Sequence, residues 1–391
     1  MTDAAPGGAP PIGLYVHWPY CARLCPYCDF NIYRDRGRRD EQTTLVAAIL
    51  ADLRTQAARA GRRRLVSIFF GGGTPSLMDP PDVAAIVAAA QAQFTADARL
   101  EVTLEANPTD AEAARFAALA QAGVTRLSLG VQSLDDAALT FLGRNHDAAA
   151  ARRAAEVAVR AFPRLSIDLI YARPGQSVAA WRGELSEALE LGAEHVSPYQ
   201  LTIEAGTAFD RAVRRGAWSP PDEDLAAELF EATGEVLGAA GLEAYEVSNH
   251  ARGSAARSRH NLLYWRGEDY LGLGPGAHGR LTVAGARWAS LTAARPATYV
   301  SAVAAKGDGL VAWERLSDRD AALERLLMGL RTVEGVPLPD LAPLAIDGAV
   351  IAGFSDQGLL VQSGGRLIAT SRGRSVLDRL TLELVGAGVA G

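Results

Sequence analysis

Cysteine is scarce in this chain, and its few cysteines are not spread out as a disulfide framework would need. The 391 residues include only three cysteines, Cys21, Cys25 and Cys28, all within one short segment. Disulfide-stabilised secreted domains instead carry an even number of cysteines along the chain. The pattern excludes a disulfide scaffold and fits a reducing compartment.

A surplus of basic residues is also missing. The formal net charge is -6 at pH 7, whereas proteins that bind nucleic acids usually carry a basic surplus or an appended basic module. We therefore expect no nucleic acid among the partners, and an RNA-modifying activity fits this composition poorly.

Long uncharged hydrophobic runs are absent as well. Even the Ala-rich segments contain Arg, Asp or Glu every few residues, so no stretch resembles a membrane span. Residues 1–10 lack the basic and apolar regions of an export signal, and we expect a disordered tail there. The sequence thus predicts a soluble, cytoplasmic protein, and its 49% of hydrophobic residues is enough for most of it to fold.

The chain does contain a repeated alternation of short apolar runs and amphipathic, Ala-rich segments. This pattern predicts strand–helix units around a parallel sheet. Between residues 11 and 240 we expect six such units, which indicates an α/β fold with an incomplete TIM-like (β/α)6 barrel. The predicted strands are residues 13–17, 65–70, 100–105, 126–131, 165–171 and 195–201, with helices such as 43–60 and 81–94 between them.

The alternation stops after residue 240. Residues 241–315 are rich in Gly, Asn, Arg and aromatic residues, and we expect connecting loops that close over one end of the barrel. In residues 316–391 the pattern predicts a helix at 319–331, a strand pair at 359–369 and a last helix at 371–384. This segment is expected to form a small α+β domain of winged-helix type.

The three cysteines follow the first predicted strand directly and form a C-x3-C-x2-C motif. Soft thiolates prefer iron-sulfur clusters, zinc or copper(I) to hard cations. Three cysteines can hold three corners of a 4Fe-4S cubane and leave the fourth iron open to an exchangeable ligand. The alternatives are a zinc site completed by His17, which the lack of a distant second cysteine pair disfavours, and three unligated thiols.

Polar residues also stand at the ends of the next strands, where barrels of this type collect their active sites. The second strand ends in residues 71–76, whose three glycines let the backbone come close to a ligand. Glu105, Gln132 and Asp168 interrupt the apolar runs of the three strands that follow. Because buried polar groups need partners, three in succession favour a shared ligand over three separate structural roles.

Together these motifs resemble the radical S-adenosylmethionine (SAM) family of coproporphyrinogen oxidases and their haem chaperone relatives, the HemW group. The likeness extends from about residue 14 to about residue 384. It implies a 4Fe-4S cluster on the three cysteines, SAM at the open iron, Arg144 at the methionine carboxylate and Asp168 at the ribose hydroxyls. The residues that would contact SAM are Tyr15, Tyr27, Gly72, Gly73, Thr74, Glu105, Gln132, Arg144 and Asp168.

Two features separate the chaperone branch from the decarboxylating oxidases. The oxidases carry a fourth cysteine two places after the third, where this chain has Phe30. Residues 260–265 match the H-N-x-x-Y-W motif that is associated with the haem chaperones. One local departure from the family is Ala172-Arg173 in place of Gly-Leu, which leaves the shape of that turn open.

The H-N-x-x-Y-W motif predicts where haem binds. Histidine is a common ligand of haem iron, and aromatic rings pack on the porphyrin face. We therefore predict His260 as an axial ligand, with Tyr264 and Trp265 beside the porphyrin. Hydrogen bonding to its neighbours is the alternative role for His260, His250 is a weaker candidate ligand, and His278 is expected to be structural.

These features imply a chaperone that binds haem as cargo and transfers it to a recipient haem protein. A respiratory-chain enzyme is the recipient considered first, with any membrane association transient and mediated by that recipient. The alternative is an oxygen-independent coproporphyrinogen III oxidase, a decarboxylase that works through a 5′-deoxyadenosyl radical. Both share the SAM motifs, so Phe30 and residues 260–265 favour the chaperone.

Overall fold

The structure of the protein is a computed structural model, and it describes residues 8–386. The predicted tail at residues 1–10 lies largely outside this range. The strands are β1 (Pro11–Trp18), β2 (Tyr20–Cys21), β3 (Tyr33–Arg34), β4 (Arg64–Gly72), β5 (Thr95–Ala106), β6 (Arg126–Gln132), β7 (Arg164–Tyr171), β8 (His195–Gln200), β9 (Glu243–Glu246), β10 (Asn249–Ala251), β11 (Asp269–Leu273), β12 (His278–Val283), β13 (Ala286–Thr292), β14 (Leu310–Arg315), β15 (Val336–Pro337), β16 (Leu360–Ser363) and β17 (Arg366–Ala369).

Helices connect most of these strands, and several begin at a side chain that accepts a hydrogen bond from the first turn. Asp147, Ser177 and Asp222 cap their helices in this way. The helices are α1 (Arg39–Ala60), α2 (Pro80–Gln93), α3 (Ala113–Gln121), α4 (Asp136–Phe141), α5 (Ala148–Ala161), α6 (Val178–Leu189), α7 (Ala208–Arg214), α8 (Glu223–Ala239), α9 (Arg259–Trp265), α10 (Pro296–Lys306), α11 (Asp318–Gly329), α12 (Gly348–Asp356), α13 (Ser371–Ser375) and α14 (Leu377–Gly386), with 3₁₀ turns at Pro75–Leu77, Pro108–Asp110, Ser254–Ala256 and Leu338–Leu344.

Six parallel strands, β1 and β4 to β8, form the middle of a twelve-stranded sheet and match the six predicted strand–helix units. Alternate residues of a strand point to opposite faces. In β1 the apolar set Ile12, Leu14 and Val16 belongs to the main core, which the helices complete. The other set, which includes Tyr15 and His17, faces the inside of the barrel, so the functional side chains line its interior.

The expectation of loops in residues 241–315 was wrong. This segment contributes β9 and β10 to one edge of the sheet and β11 to β14 to the other. β11 pairs in parallel with β1, whereas β12, β13 and β14 are antiparallel. The signal was missed because these strands are short and broken by glycines, and because edge strands carry charged residues that disguise the apolar alternation.

A second hydrophobic core belongs to the C-terminal segment. Leu326, Leu360, Leu367 and Leu384 are among its buried residues. β16 and β17 form the predicted strand pair, and β15 adds a third strand. The predicted last helix is divided into α13 and α14 at Val376. Among the helices of residues 8–386, none combines the length and hydropathy of a membrane-spanning segment.

The two ends of the barrel differ in what covers them. Residues 254–265 cross the amino end, where Arg126 at the start of β6 donates to the carbonyl of Ala256 (3.0 Å). Arg164, the first residue of β7, donates to the carbonyl of Ala255. The cysteine loop and the glycine turn lie at the opposite, carboxyl end. The amino end is therefore closed by chain, and the carboxyl end is the side where a ligand can enter.

Candidate cluster and SAM site

The three cysteines lie on the loop that follows β1. Cys21 belongs to β2, which pairs with β3 through Cys21 and Arg34. On the other side of the loop, the N–H of Phe209 in α7 donates to the carbonyl of Pro26 (3.0 Å). Gly143 approaches so closely that a Cβ there would lie 2.6 Å from the Pro26 ring. The loop is thus held by a strand pair and by two neighbouring segments.

All three thiols are free, and their surroundings suit an anionic cluster. Burial raises the pKa of Cys21, and it raises the pKa of Cys28 to about 11. The thiols of Cys21 and Cys28 therefore stay protonated until a metal displaces their protons. The Thr74 hydroxyl donates to the Cys21 sulfur (3.6 Å), and Nη1 of Arg144 lies 3.4 Å from the Cys25 sulfur. Such contacts stabilise thiolate-bound clusters, so the donor set fits 4Fe-4S.

The zinc alternative through His17 has no support in this geometry. Nδ1 of His17 lies 3.0 Å from the Tyr15 hydroxyl, and Nε2 lies 2.9 Å from the Asn31 carbonyl oxygen. Both ring nitrogens are therefore already hydrogen-bonded. Within residues 8–386, no three His, Cys, Asp or Glu side chains are placed to hold one metal ion, whereas the cysteines of a cubane each bind a different iron.

The glycine turn after β4 packs against the start of the cysteine loop. The N–H of Gly73 donates to the Trp18 carbonyl (2.7 Å), and that of Thr74 donates to the Tyr20 carbonyl (2.9 Å). A Cβ on Gly73 would lie 2.6 Å from the Tyr20 carbonyl oxygen, and Gly72 has a φ of +105°. Only glycine meets both conditions, so the turn and the cysteines form one unit.

Arg144 connects this unit to the ends of β5 and β6. Its Nη1 lies 3.4 Å from the Tyr27 hydroxyl as well as 3.4 Å from the Cys25 sulfur. Its Nη2 donates to the Gly130 carbonyl (3.0 Å) and to the Asn107 amide oxygen. Its Nε is buried and has no hydrogen-bond partner in the described part of the chain. A buried donor without a partner is rare, and here it suits the carboxylate of a ligand.

Two carboxyl groups of the predicted set interact electrostatically inside the barrel. Glu105 accepts a hydrogen bond from the N–H of Gly72 (3.1 Å), and Asp168 accepts one from the Ser128 hydroxyl (2.8 Å). Burial, reinforced by the charge of Asp168, raises the pKa of Glu105 to about 8. Burial also raises the pKa of Asp168. Both groups can accept hydrogen bonds from the ammonium or hydroxyl groups of a ligand.

Gln132 and Tyr15 complete the predicted SAM contacts. Gln132 ends β6 with a φ of +66°, a left-handed conformation that non-glycine residues seldom adopt and that often marks functional sites. A Cβ on Gly130 would lie 2.9 Å from Nε2 of Gln132, so that glycine leaves room for the Gln132 amide. Tyr15 lies on the inner face of β1, where burial and the charge of Glu105 raise its pKa.

Sequence reasoning did not assign roles to Asn107 and Ser128. Asn107 accepts from Arg144 through Oδ1 and donates to the Thr74 hydroxyl through Nδ2 (3.1 Å). Ser128 holds Asp168. Both could have been found by the rule used for Asp168, because each is a polar residue on or just after a strand at a position that faces inward.

The chain shares its sequence and its fold with known proteins. A model of the radical SAM superfamily matches residues 15–185, and a model of the HemN C-terminal domain matches residues 316–376. The heme chaperone HemW of Mycobacterium tuberculosis is 37% identical over 99% of this chain and 98% of its own length. The chain belongs to the HemW family of radical SAM proteins. The family implies a 4Fe-4S cluster and SAM.

Two further similarities agree with the HemW family. The mitochondrial radical S-adenosyl methionine domain-containing protein 1 of Bos taurus is 42% identical over 97% of this chain and 88% of its own length. The structure of the coproporphyrinogen III oxidase HemN from Escherichia coli aligns with a TM-score of 0.80 over 96% of this chain and 90% of that chain. Its 20% identity shows a shared fold alone, which confirms the predicted barrel and C-terminal domain.

In this HemW-family chain the H-N-x-x-Y-W residues form helix α9, so the expectation of a loop was wrong. Ser258 caps the helix by accepting the N–H of Asn261 (3.2 Å), a signal that was visible in the sequence. His260 is only 1% exposed, with Nδ1 2.8 Å from the Ser67 hydroxyl and Nε2 2.7 Å from the Tyr264 hydroxyl. Burial lowers the pKa of His260 to about 3. Haem ligation by His260 stays a prediction, and it requires one of these hydrogen bonds to break.

The other two haem candidates, Trp265 and His250, lie apart from one another, as does His278, which was expected to be structural. Trp265 packs against the C-terminal domain, where the Arg331 guanidinium lies 5.1 Å from its ring centre. His250 is buried in β10, and its Nδ1 has no hydrogen-bond partner within residues 8–386. His278 is exposed at the start of β12. The structure thus joins His260 and Tyr264 in one contact and leaves the other two histidines elsewhere.

The turn after β7 departs from the family pattern and is stabilised by a different set of contacts. Ala172 takes a φ of +59°, which a glycine would adopt without strain. Arg173 is buried and forms an ion pair with Glu184 of α6. It also donates to the Ser133 hydroxyl. This buried network stabilises the turn, in which Ala172 and Arg173 replace the expected Gly-Leu. It does not involve the residues proposed to contact SAM.

Proposed function

We propose that this chain is a haem chaperone that carries a 4Fe-4S cluster on Cys21, Cys25 and Cys28, binds SAM beside it, and transfers haem to a recipient haem protein. The observation that carries the proposal is the similarity to the HemW of M. tuberculosis, which extends over nearly the whole of both chains. The H-N-x-x-Y-W residues of helix α9 support it. A cytoplasmic location remains a prediction.

The residues at the carboxyl end would divide the work of holding SAM. Arg144 would pair with the methionine carboxylate, because its unpartnered Nε needs an acceptor. Glu105 and the backbone of Gly72 would bind the amino group, and Asp168, held by Ser128, would accept the ribose hydroxyls. When bound, the cluster supplies the redox chemistry, and the protein supplies position and charge.

An oxidase activity is the second candidate, because the HemN enzyme has the same fold. Phe30 stands where the oxidases have their fourth cysteine, and its side chain is 59% exposed. A phenyl ring cannot ligate a metal or donate a hydrogen bond. We therefore expect this chain to lack coproporphyrinogen decarboxylation.

One incubation separates the two functions. Protein reconstituted anaerobically, with SAM and a reductant, would be given haem in one sample and coproporphyrinogen III in another. We expect a Soret band from bound haem, transfer of that haem to an apo form of a respiratory haem enzyme, and unchanged coproporphyrinogen. Formation of protoporphyrinogen would overturn the chaperone proposal in favour of the oxidase.

The haem site is proposed to be separate from the cluster, with His260 as the axial ligand to be tested. Cys25→Ala should leave haem binding largely intact, since residues 260–265 lie at the amino end of the barrel and the cysteines at the other. If His260 ligates the iron, His260→Ala should shift the Soret band and weaken haem binding. An unaltered spectrum would return His260 to its hydrogen-bonding role.

A further inference from the structure

Helix α9 is connected to the cysteine loop by a continuous line of rings inside the barrel. The ring of His260 stacks on Phe69 (5.0 Å between centres, 26° between planes), and Phe69 stacks on Tyr15 (6.3 Å, 27°). The Tyr15 hydroxyl bonds to Nδ1 of His17 (3.0 Å), whose Nε2 bonds to the carbonyl of Asn31 (2.9 Å). We call the four rings of His260, Phe69, Tyr15 and His17 the ring column. Asn31, which the column reaches through His17, lies three residues after Cys28.

The barrel makes room for the ring column at glycines. A Cβ on Gly13 would lie 3.0 Å from Leu263 and 3.4 Å from Nδ1 of His260. A Cβ on Gly71 would lie 2.8 Å from the Phe69 ring and 3.0 Å from the Tyr15 ring. Because the column fills the space that two side chains would occupy, it is close-packed, and close-packed groups transmit displacement rather than absorb it.

The opposite end of α9 is held by the C-terminal domain. Nη1 of Arg325 in α11 donates to the carbonyl of Trp265 (3.2 Å). Arg331 stacks over the ring of the same residue at 5.1 Å. Arg266 and Glu334 form an ion pair (2.7 Å) one residue further along. Helix α9 therefore touches the C-terminal domain at its last residues and the ring column at its second.

We propose that helix α9 links the C-terminal domain to the SAM end of the barrel, with His260 as the positioning residue that sets the ring column. Tyr15 is the element through which the link acts, since its ring lies 3.0 Å from the position that a Cβ on Gly71 would take, and the next residue, Gly72, donates its N–H to Glu105 (3.1 Å) in the proposed SAM site. The column continues through His17 into the segment that carries the cysteines. This inference rests on the proposed SAM site and adds the residues that hold it in shape.

The test compares SAM binding in variants that change the column and in one that does not. Wild type, His260→Ala and Phe69→Leu would be reconstituted with the cluster, and the SAM dissociation constant would be measured by calorimetry. Electron paramagnetic resonance of the reduced cluster, with and without SAM, gives a second readout. Phe116→Leu is the matched control, because Phe116 is a buried ring that packs on Phe162 (5.4 Å) outside the column.

We expect His260→Ala and Phe69→Leu to weaken SAM binding about tenfold and to change the spectral response to SAM while iron content stays full. Phe116→Leu should leave SAM binding as in wild type. Wild-type SAM affinity and an unaltered spectral response in both column variants would overturn the inference. Failure of the wild type itself to bind SAM would instead overturn the proposed SAM site.

A gentler variant covers the case in which His260→Ala does not fold. Gly13→Ala needs Leu263 and the Ser67 hydroxyl, which is hydrogen-bonded to His260, to shift by only a few tenths of an ångström, and Gly13 does not have a positive φ. It should weaken SAM binding in the same direction but by less. His260→Gln, which keeps a donor and an acceptor, should recover part of the loss. Loss of haem in His260→Ala with unchanged SAM affinity would establish ligation and overturn the positioning role.

Discussion

The two ends of the barrel use the same residue types for opposite purposes. Arg126, at the amino end, is buried beside Glu101 at 3.6 Å, and the other carboxylate oxygen of Glu101 accepts the N–H of His260 (3.1 Å). Arg144, at the carboxyl end, forms no ion pair with a carboxylate of residues 8–386, and each of the two arginines keeps one buried nitrogen without a hydrogen-bond partner, Nη2 in Arg126 and Nε in Arg144. A buried cation with a counter-ion is structural, whereas one without a counter-ion awaits a charged ligand.

Loss of a cysteine should have the largest effect at the carboxyl end. Cys21→Ala, Cys25→Ala and Cys28→Ala should each abolish assembly of the 4Fe-4S cluster, because each thiolate binds a different iron. Iron and sulfide analysis after anaerobic reconstitution measures this. Asp168→Ala is the control that should keep its iron. A cysteine variant with full iron content, or stoichiometric zinc in place of iron, would contradict the cluster.

Loss of Arg126 should have the largest effect at the amino end. Arg126→Ala removes one of the two arginines beside the buried Glu101 and leaves only Arg164, at 3.7 Å, as its counter-ion, so it should lower the free energy of unfolding by about 1–3 kcal/mol. Urea unfolding of the cluster-free chain measures the change. Arg144→Ala is the comparison: it should cost less stability and should instead impair SAM binding. Equal losses of stability in the two variants would contradict the view that Arg126 is structural and Arg144 binds a ligand.

SAM affinity should depend more on Asp168 than on Ser128, which donates a hydrogen bond to it. Asp168→Ala removes a charged acceptor and should weaken SAM binding by about 1.5–3 kcal/mol, with the cluster in place. Ser128→Ala, which leaves the carboxylate but removes the hydrogen bond that holds it, should have a smaller effect. Calorimetry on reconstituted protein gives both values. Unchanged SAM affinity in Asp168→Ala would show that SAM does not bind at Asp168. Arg144→Ala is a less clean probe, because Arg144 also touches Cys25.

The last expected effect is a gradual pH dependence of stability that comes from Glu105. Its pKa is about 8 in the folded chain against an ordinary value of 4.5, so its stabilising contribution is complete below pH 4.5 and is lost as the pH rises towards 8. Over this window wild type should lose stability relative to Glu105→Gln by about 1 kcal/mol per pH unit. Urea unfolding of both cluster-free chains at several pH values checks this. If the difference in unfolding free energy between the two chains does not change with pH, the pKa of Glu105 is not raised in the folded chain.

Local pattern was enough to predict the six parallel strands and the cysteine loop. The strands alternate between the two faces along continuous runs, and a C-x3-C-x2-C loop is a feature of adjacent residues. The edges of the sheet were missed, since they join the barrel through pairs that are distant in sequence, β11 with β1 and β10 with β8. The same is true of Asn107, whose partner Arg144 is 37 residues further along the chain.

The sequence by itself determined which chemical groups the protein has and in what order: three thiols after a first strand, inward polar residues at later strand ends, and a histidine–tyrosine pair four residues apart. Only the tertiary structure decided which end of the barrel each group occupies. His260 could have faced a porphyrin or the core, and packing placed it against Phe69 with both nitrogens hydrogen-bonded. The reason is that helix periodicity specifies which residues share a face, whereas the neighbours of that face come from strands about 200 residues earlier in the chain.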